Sequence, residues 1–212
     1  MNKLFGMNSP LMRKLSQLPD LILLNLLWIL CSVPIITVGA ATTALHGVIQ
    51  AYVSEENNGI VRPYFRAFRK NFKQSTGLWL PILLLLCLLV LDLLFLMEKA
   101  EGGQLLLWIP FLIIGAIVSI LVSYAFPLIA RYENDTKTII SNAFLLFSLH
   151  LFPSLAVIAM NILPWGLLLL WPEMFLKTGA LWLVFGAALI CYSGNHIMLP
   201  IFKKYDPPAE ET

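Results

Sequence analysis

Charge is scarce in this sequence: Asp, Glu, Lys and Arg together supply 12% of its 212 residues, against 59% hydrophobic residues. A soluble domain carries about 25% charged residues, so a chain this poor in charge, with a mean hydropathy of +0.82, has lipid as the solvent for most of its surface. The charge that is present nearly cancels, fourteen basic against twelve acidic residues, too weak a field to recommend nucleic acid as a partner. Cysteine is equally sparse. Cys31, Cys87 and Cys191 each sit inside an apolar run with no C-x-x-C pair, so they read as small core hydrophobes rather than a disulfide framework or a metal site. Catalytic patterns are missing too: there is no H-E-x-x-H, no P-loop, no G-x-G-x-x-G and no G-x-S-x-G. No enzymatic activity, cofactor or metal is expected.

What the sequence does have is apolar length. Clear runs occupy 21–38, 78–97, 105–130, 151–171 and 179–202, and a softer stretch, 41–53, carries Thr42, Thr43, His46, Gly47 and Gln50 between apolar residues. A helix needs about 20 apolar residues to cross the hydrocarbon core, so the sequence predicts an all-α, polytopic transmembrane helical bundle. It has six spans, or five if the soft stretch does not cross. Basic residues decide between these, because short cytoplasmic loops carry the excess of Lys and Arg. Six spans with both termini inside place twelve of the fourteen basic residues in the cytoplasm and leave Lys99 and Lys177 outside. Five spans in their better orientation leave nine inside and five outside. Six is the reading adopted, with the second span short or tilted. The organisation is one membrane domain over 1–212: an interfacial amphipathic segment at 1–20, the bundle at 21–202 and a polar tail at 203–212, both ends cytoplasmic. Val38-Gly39-Ala40 imitates a signal-peptidase site after a basic start and an apolar run. The nineteen-residue preamble is long for such a signal, so the first run is read as a retained span.

The chain also echoes itself. Pro127-Leu128-Ile129-Ala130-Arg131-Tyr132-Glu133 returns as Pro200-Ile201-Phe202-Lys203-Lys204-Tyr205-Asp206, so the fourth and sixth spans end alike. Glu56-Asn57-Asn58 followed by Ala67-Phe68 is matched by Glu133-Asn134-Asp135 followed by Ala143-Phe144. Three hairpins, each returning at a polar turn, would produce such a pattern.

Several segments resemble the YesL family of bacterial membrane proteins, a domain of unknown function. They are Leu24-Asn25-Leu26-Leu27-Trp28, the run from Pro34 to Leu45, the basic stretch from Phe65 to Gln74, Ala130-Arg131-Tyr132-Glu133-Asn134, and Ile201-Phe202-Lys203-Lys204-Tyr205. The resemblance implies a multi-pass protein of the bacterial cytoplasmic membrane, associated with carbohydrate uptake systems, with no assigned activity and no site residues to carry over. Ala67 stands where that family often has Ser, and Pro63 opens the basic stretch. The expected function is that of an accessory or regulatory component of a solute uptake system, with the bilayer and a membrane transport complex as partners. The alternative is a small transporter in its own right.

Two candidate sites follow from the residues themselves. Asp92 is the one acid inside a strongly apolar span, and a carboxylate there costs about 2.5–3.5 kcal/mol on insertion scales unless it finds a partner or water. Counting from the outer turns, His46 lies at a similar depth, so an Asp92–His46 polar site is expected, against the plainer reading that Asp92 snorkels beside Glu98 and Lys99. Arg62, Arg66, Arg69, Lys70 and Lys73 surround Phe65, Phe68 and Phe72. This pattern predicts an amphipathic helix lying on the cytoplasmic leaflet before the third span, either a docking surface or merely an orientation signal. Asn25, Asn161 and Asn195 read as interhelical hydrogen bonds, and Gly115, Ser119 and Ser123 as a stripe of close helix approach. Trp79, Trp108, Trp171 and Trp182 read as interface anchors.

Overall fold

Proline lacks an N–H and cannot continue a helix without breaking its ladder, and Pro34 divides the first apolar run accordingly. In the computed structural model, which describes residues 18–54, 59–99 and 108–206, that run is not one helix. It forms α1 (Leu18–Ser32), a turn that includes a single 3-10 turn at Ile35–Thr37, and the start of α2 (Val38–Val53). The two helices run antiparallel, with Trp28 Nε1 donating to Thr42 Oγ1 at 3.1 Å and the Tyr52 hydroxyl donating to Asp20 at 2.9 Å. The turn satisfies its own carbonyls. Thr37 Oγ1 lies 2.6 Å from the Cys31 oxygen and 2.7 Å from that of Pro34, and Trp79 Nε1 donates to Ile35 O at 2.8 Å. Backbone groups inside lipid need such partners because water is absent.

The rest is a series of helices joined by short turns among the described residues: α3 (Val61–Lys99), α4 (Trp108–Arg131), α5 (Thr136–Leu149), α6 (Leu151–Leu170), α7 (Pro172–Leu181), a π-helical segment at Trp182–Gly186, and α8 (Ala187–Phe202). Five stretches are long and apolar enough to cross a membrane: Ile35–Val53, Val61–Asp92, Ile109–Arg131, Leu151–Leu168 and Pro172–Phe202. α1 and α5 are shorter apolar helices. α5 had no place among the apolar runs of the sequence, and Asp135 starts it as N-cap, accepting from the Thr138 amide at 3.4 Å and the Thr138 hydroxyl at 2.5 Å.

The tightest helix contact is α2 on α3. A Cβ at Gly39 would stand 2.6 Å from Trp79 Cβ and 2.7 Å from the Ser75 carbonyl oxygen, so only glycine fits. Four residues on, buried Thr43 shares a 2.8 Å hydrogen bond with buried Ser75; four further, Gly47 faces Ala67 and Ala130. The close-approach stripe is therefore Gly39, Thr43 and Gly47. The Gly115 stripe does not serve this role, since a Cβ there would meet nothing within 4 Å. Two apolar cores flank the contact, one around Tyr124, Phe126 and Phe202, the other around Leu24, Leu45, Ile49 and Tyr64.

Candidate functional site

The basic segment is not a separate surface helix: it forms the first turns of α3, continuous with the apolar half of that helix. One side of it is inward, with Tyr64, Asn71 and Ser75 buried. The other side is outward, with Arg62, Phe65, Arg66, Arg69, Phe72 and Lys73 exposed. Phe65 and Phe72 keep 38% and 37% of their surface open, while Phe68 is half-buried and packs its ring 5.5 Å from that of Phe72. The fifth cation, Lys70, is used within the protein, pairing with Glu133 on the turn after α4 and holding that carboxyl below its ordinary range. Gln74 Nε2 donates to the Asn134 carbonyl at 2.7 Å beside it.

The two echoing span ends meet. Arg131 grips Asp206 with two nitrogens, Nη2 at 2.5 Å and Nε at 3.2 Å, and the Tyr132 hydroxyl donates to the same carboxylate at 2.7 Å. The hydrogen bond from the Arg131 guanidinium, more than that from Tyr132, holds the Asp206 carboxyl below its ordinary value. Burial and then the Asp206 bond push the Tyr132 phenol up to about 12. From the second copy of the motif, Tyr205 reaches His150 Nε2 at 3.1 Å. A cavity of about 350 Å³ between them is lined by Tyr132, Asn142, Phe202 and Tyr205.

Asp92 and His46 are not brought together. The turn of the α1–α2 hairpin sits at Trp79, and Thr43 is level with Ser75. Asp92 lies seventeen residues farther along α3, about 25 Å of helix, on an exposed face. The depth count failed because it placed the outer ends of α2 and α3 at the same height.

His46 finds other company. Asn195 Nδ2, anchored on the Cys191 carbonyl at 2.8 Å, donates to His46 Nδ1 at 2.9 Å, and Cys191 Sγ lies 3.2 Å from the same nitrogen. Nδ1 is thus the acceptor and Nε2 carries the ring proton. Beside this cluster is a cavity of about 230 Å³ lined by Trp28, Thr42, His46, Ser123, Asn161 and Cys191, among others. Asn161 Nδ2 donates to Val157 O at 3.0 Å and to Ser123 Oγ at 3.2 Å. The π-helical segment contributes Trp182 and Gly186 to the wall. Asn25 holds that segment: its Nδ2 donates to Leu183 O at 2.6 Å and its Oδ1 accepts from the Ala188 amide at 3.0 Å. A buried side-chain amide thus stands between the two backbone groups that an i to i+5 bond would join. Sequence reasoning located the deep amides but not the π segment, which no residue pattern announced.

No group of three or more metal-ligating side chains occurs among the described residues. No curated protein and no solved structure matches the chain. Residues 21–93, which cover the α1–α2 hairpin, the basic segment and most of α3, match the family model described as "Protein of unknown function, DUF624".

Proposed function

We propose that this chain is a YesL-type protein of the bacterial cytoplasmic membrane, both termini cytoplasmic, that serves a solute uptake system as an accessory or regulatory component. Carbohydrate uptake is the class the resemblance suggests. The work is done by contacts rather than by a reaction. The observation that carries this reading is the outward face of α3, where Phe65 and Phe72 stand open among Arg62, Arg66, Arg69 and Lys73 while the inward face is buried on α2. An aromatic and cationic face of this kind suits an anionic headgroup layer together with an acidic partner segment resting on it.

The test is a pull-down in mild detergent from native membranes. Arg66→Gln with Arg69→Gln leaves the Lys70–Glu133 pair intact, so the protein should insert and fold normally but release a co-purifying transport component, the more so as salt screens Arg62 and Lys73. A partner held equally by wild type and double variant at low and high salt would reduce the face to a membrane anchor. The cavity beside His46, with Thr42, Ser123 and Asn161 on its wall, favours a second reading, transport by the chain itself, which requires solute flux in liposomes containing this protein alone.

A further inference from the structure

We infer that the cavity beside His46 is a binding site for a small uncharged molecule that carries both a hydrogen-bond acceptor and a donor, such as an amide, imide or alcohol. This inference does not rest on the docking role of α3. Three observations converge on it.

The first is a set of polar side chains, Thr42, His46, Ser123 and Asn161, on the wall of an otherwise largely apolar cavity inside the bundle. Intramembrane polar groups are costly and collect where they line a path or a site. None of the cavity's lining residues is Asp, Glu, Lys or Arg, so it offers no counter-charge, and an ion would lose its hydration for nothing in return.

The second is an unspent pair of hydrogen-bonding atoms. Asn195 fixes His46 Nδ1 as acceptor, which leaves Nε2–H as a donor. Asn161 spends both Nδ2 hydrogens on Val157 and Ser123, which leaves Oδ1 as an acceptor without a partner among the described residues. One ligand bearing C=O and N–H, or a single hydroxyl, answers both.

The third is the wall itself. An interrupted helix is an expensive way to pack, and π segments recur at functional sites. Here the buried amide of Asn25 props open the segment that supplies Trp182 and Gly186 to the cavity. The volume, about 230 Å³, suits a ligand of a few heavy atoms rather than a drug-sized one.

Cys191 lines the cavity and supplies a reporter. Maleimide is small, uncharged and bears one N–H and two C=O groups; the thiol adds across its double bond, sulfur to one carbon and the proton to the other, with nothing leaving. Succinimide is its unreactive counterpart. Using wild-type protein in nanodiscs near pH 7, maleimide labelling is followed separately at Cys31, Cys87 and Cys191 by peptide mass spectrometry. Millimolar succinimide should slow labelling at Cys191 at least fivefold, saturably, and leave Cys31 and Cys87 unchanged. Asn161→Leu should remove the protection while Cys191 still reacts. Emission from Trp28 and Trp182, which line the same cavity, is followed beside it, because a buried thiol reacts slowly with maleimide, and the inference is overturned if succinimide changes neither readout or if its effect survives in Asn161→Leu.

Discussion

Arg131 and Asp206 form a two-pronged ion pair that ties the end of α4 to the residues just past α8. Because Tyr132 donates to the same carboxylate, replacing Asp206 by Asn should loosen three contacts at once. Hydrogen bonds to charged groups contribute about 1.5–3 kcal/mol, but partial exposure brings this nearer about 1 kcal/mol. For a chain of this length that is roughly 2–4 °C in the unfolding midpoint. Arg131→Lys should lose most of the same amount, since an ammonium cannot reproduce the fork.

The pair also sets a pH dependence. The folded Asp206 carboxyl lies below its ordinary value of 3.8, so its contribution is complete above that value and is lost as pH falls through the lower, folded one. The stability gap between wild type and Asp206→Asn should stay constant from about pH 7 to 5 and close below about pH 4. Thermal melts in detergent would show this, and a gap that persisted undiminished to pH 2 would contradict it.

Asn25 makes a sharper case. Interhelical side-chain bonds in membranes average about 0.6 kcal/mol, yet Asn25→Leu strips partners from two backbone groups, Leu183 O and Ala188 N. Each orphaned group costs about 1–3 kcal/mol. The expected loss is therefore well above the average, and it shrinks only if the π segment relaxes to α-helix. A melt of Asn25→Leu indistinguishable from wild type would mean that the amide props nothing.

Glycine positions should separate cleanly. Gly39→Ala places a methyl 2.6 Å from Trp79 Cβ and 2.7 Å from backbone, forcing α2 off α3 at about 1–3 kcal/mol. Gly47→Ala, with its nearest neighbour at 3.7 Å, and Gly115→Ala, with none within 4 Å, should be close to neutral.

Orientation is testable with single cysteines in a cysteine-free background. Asn134→Cys and Lys177→Cys both replace exposed residues. An impermeant maleimide added outside should label position 177 and spare 134, and the opposite result would invert the topology.

Much of this was legible beforehand. Apolar length gave the long helices, and the echo between Pro127–Glu133 and Pro200–Asp206 marked two ends that prove to touch. The Phe65 and Phe72 face could be read because period 3.6 is local. What escaped was relative height. Depth counted along the chain cannot say where one helix stands beside another, so Asp92 was assigned to His46 when Asn195 and Cys191 hold that ring. α5 escaped because fourteen residues of mixed polarity between two apolar runs look like a loop unless the Asp135 cap is recognised.

The placement of the hairpin turn at Trp79 has a further consequence. α3 continues for twenty residues past Trp79, about 30 Å, through one of the most apolar stretches of the chain. The tip of the α1–α2 hairpin, where Val33, Ile35 and Ile36 are exposed, therefore stops far short of the end of α3, by a length close to that of a whole hydrocarbon core. Counting positive charges cannot detect this, because both ends of a hairpin come back to the same surface whether or not its tip breaks through. It leaves the part of α3 past Trp79, where Leu80, Leu84, Leu88 and Leu91 are exposed, without cover from these two helices, a flank open to lipid tails or to another subunit.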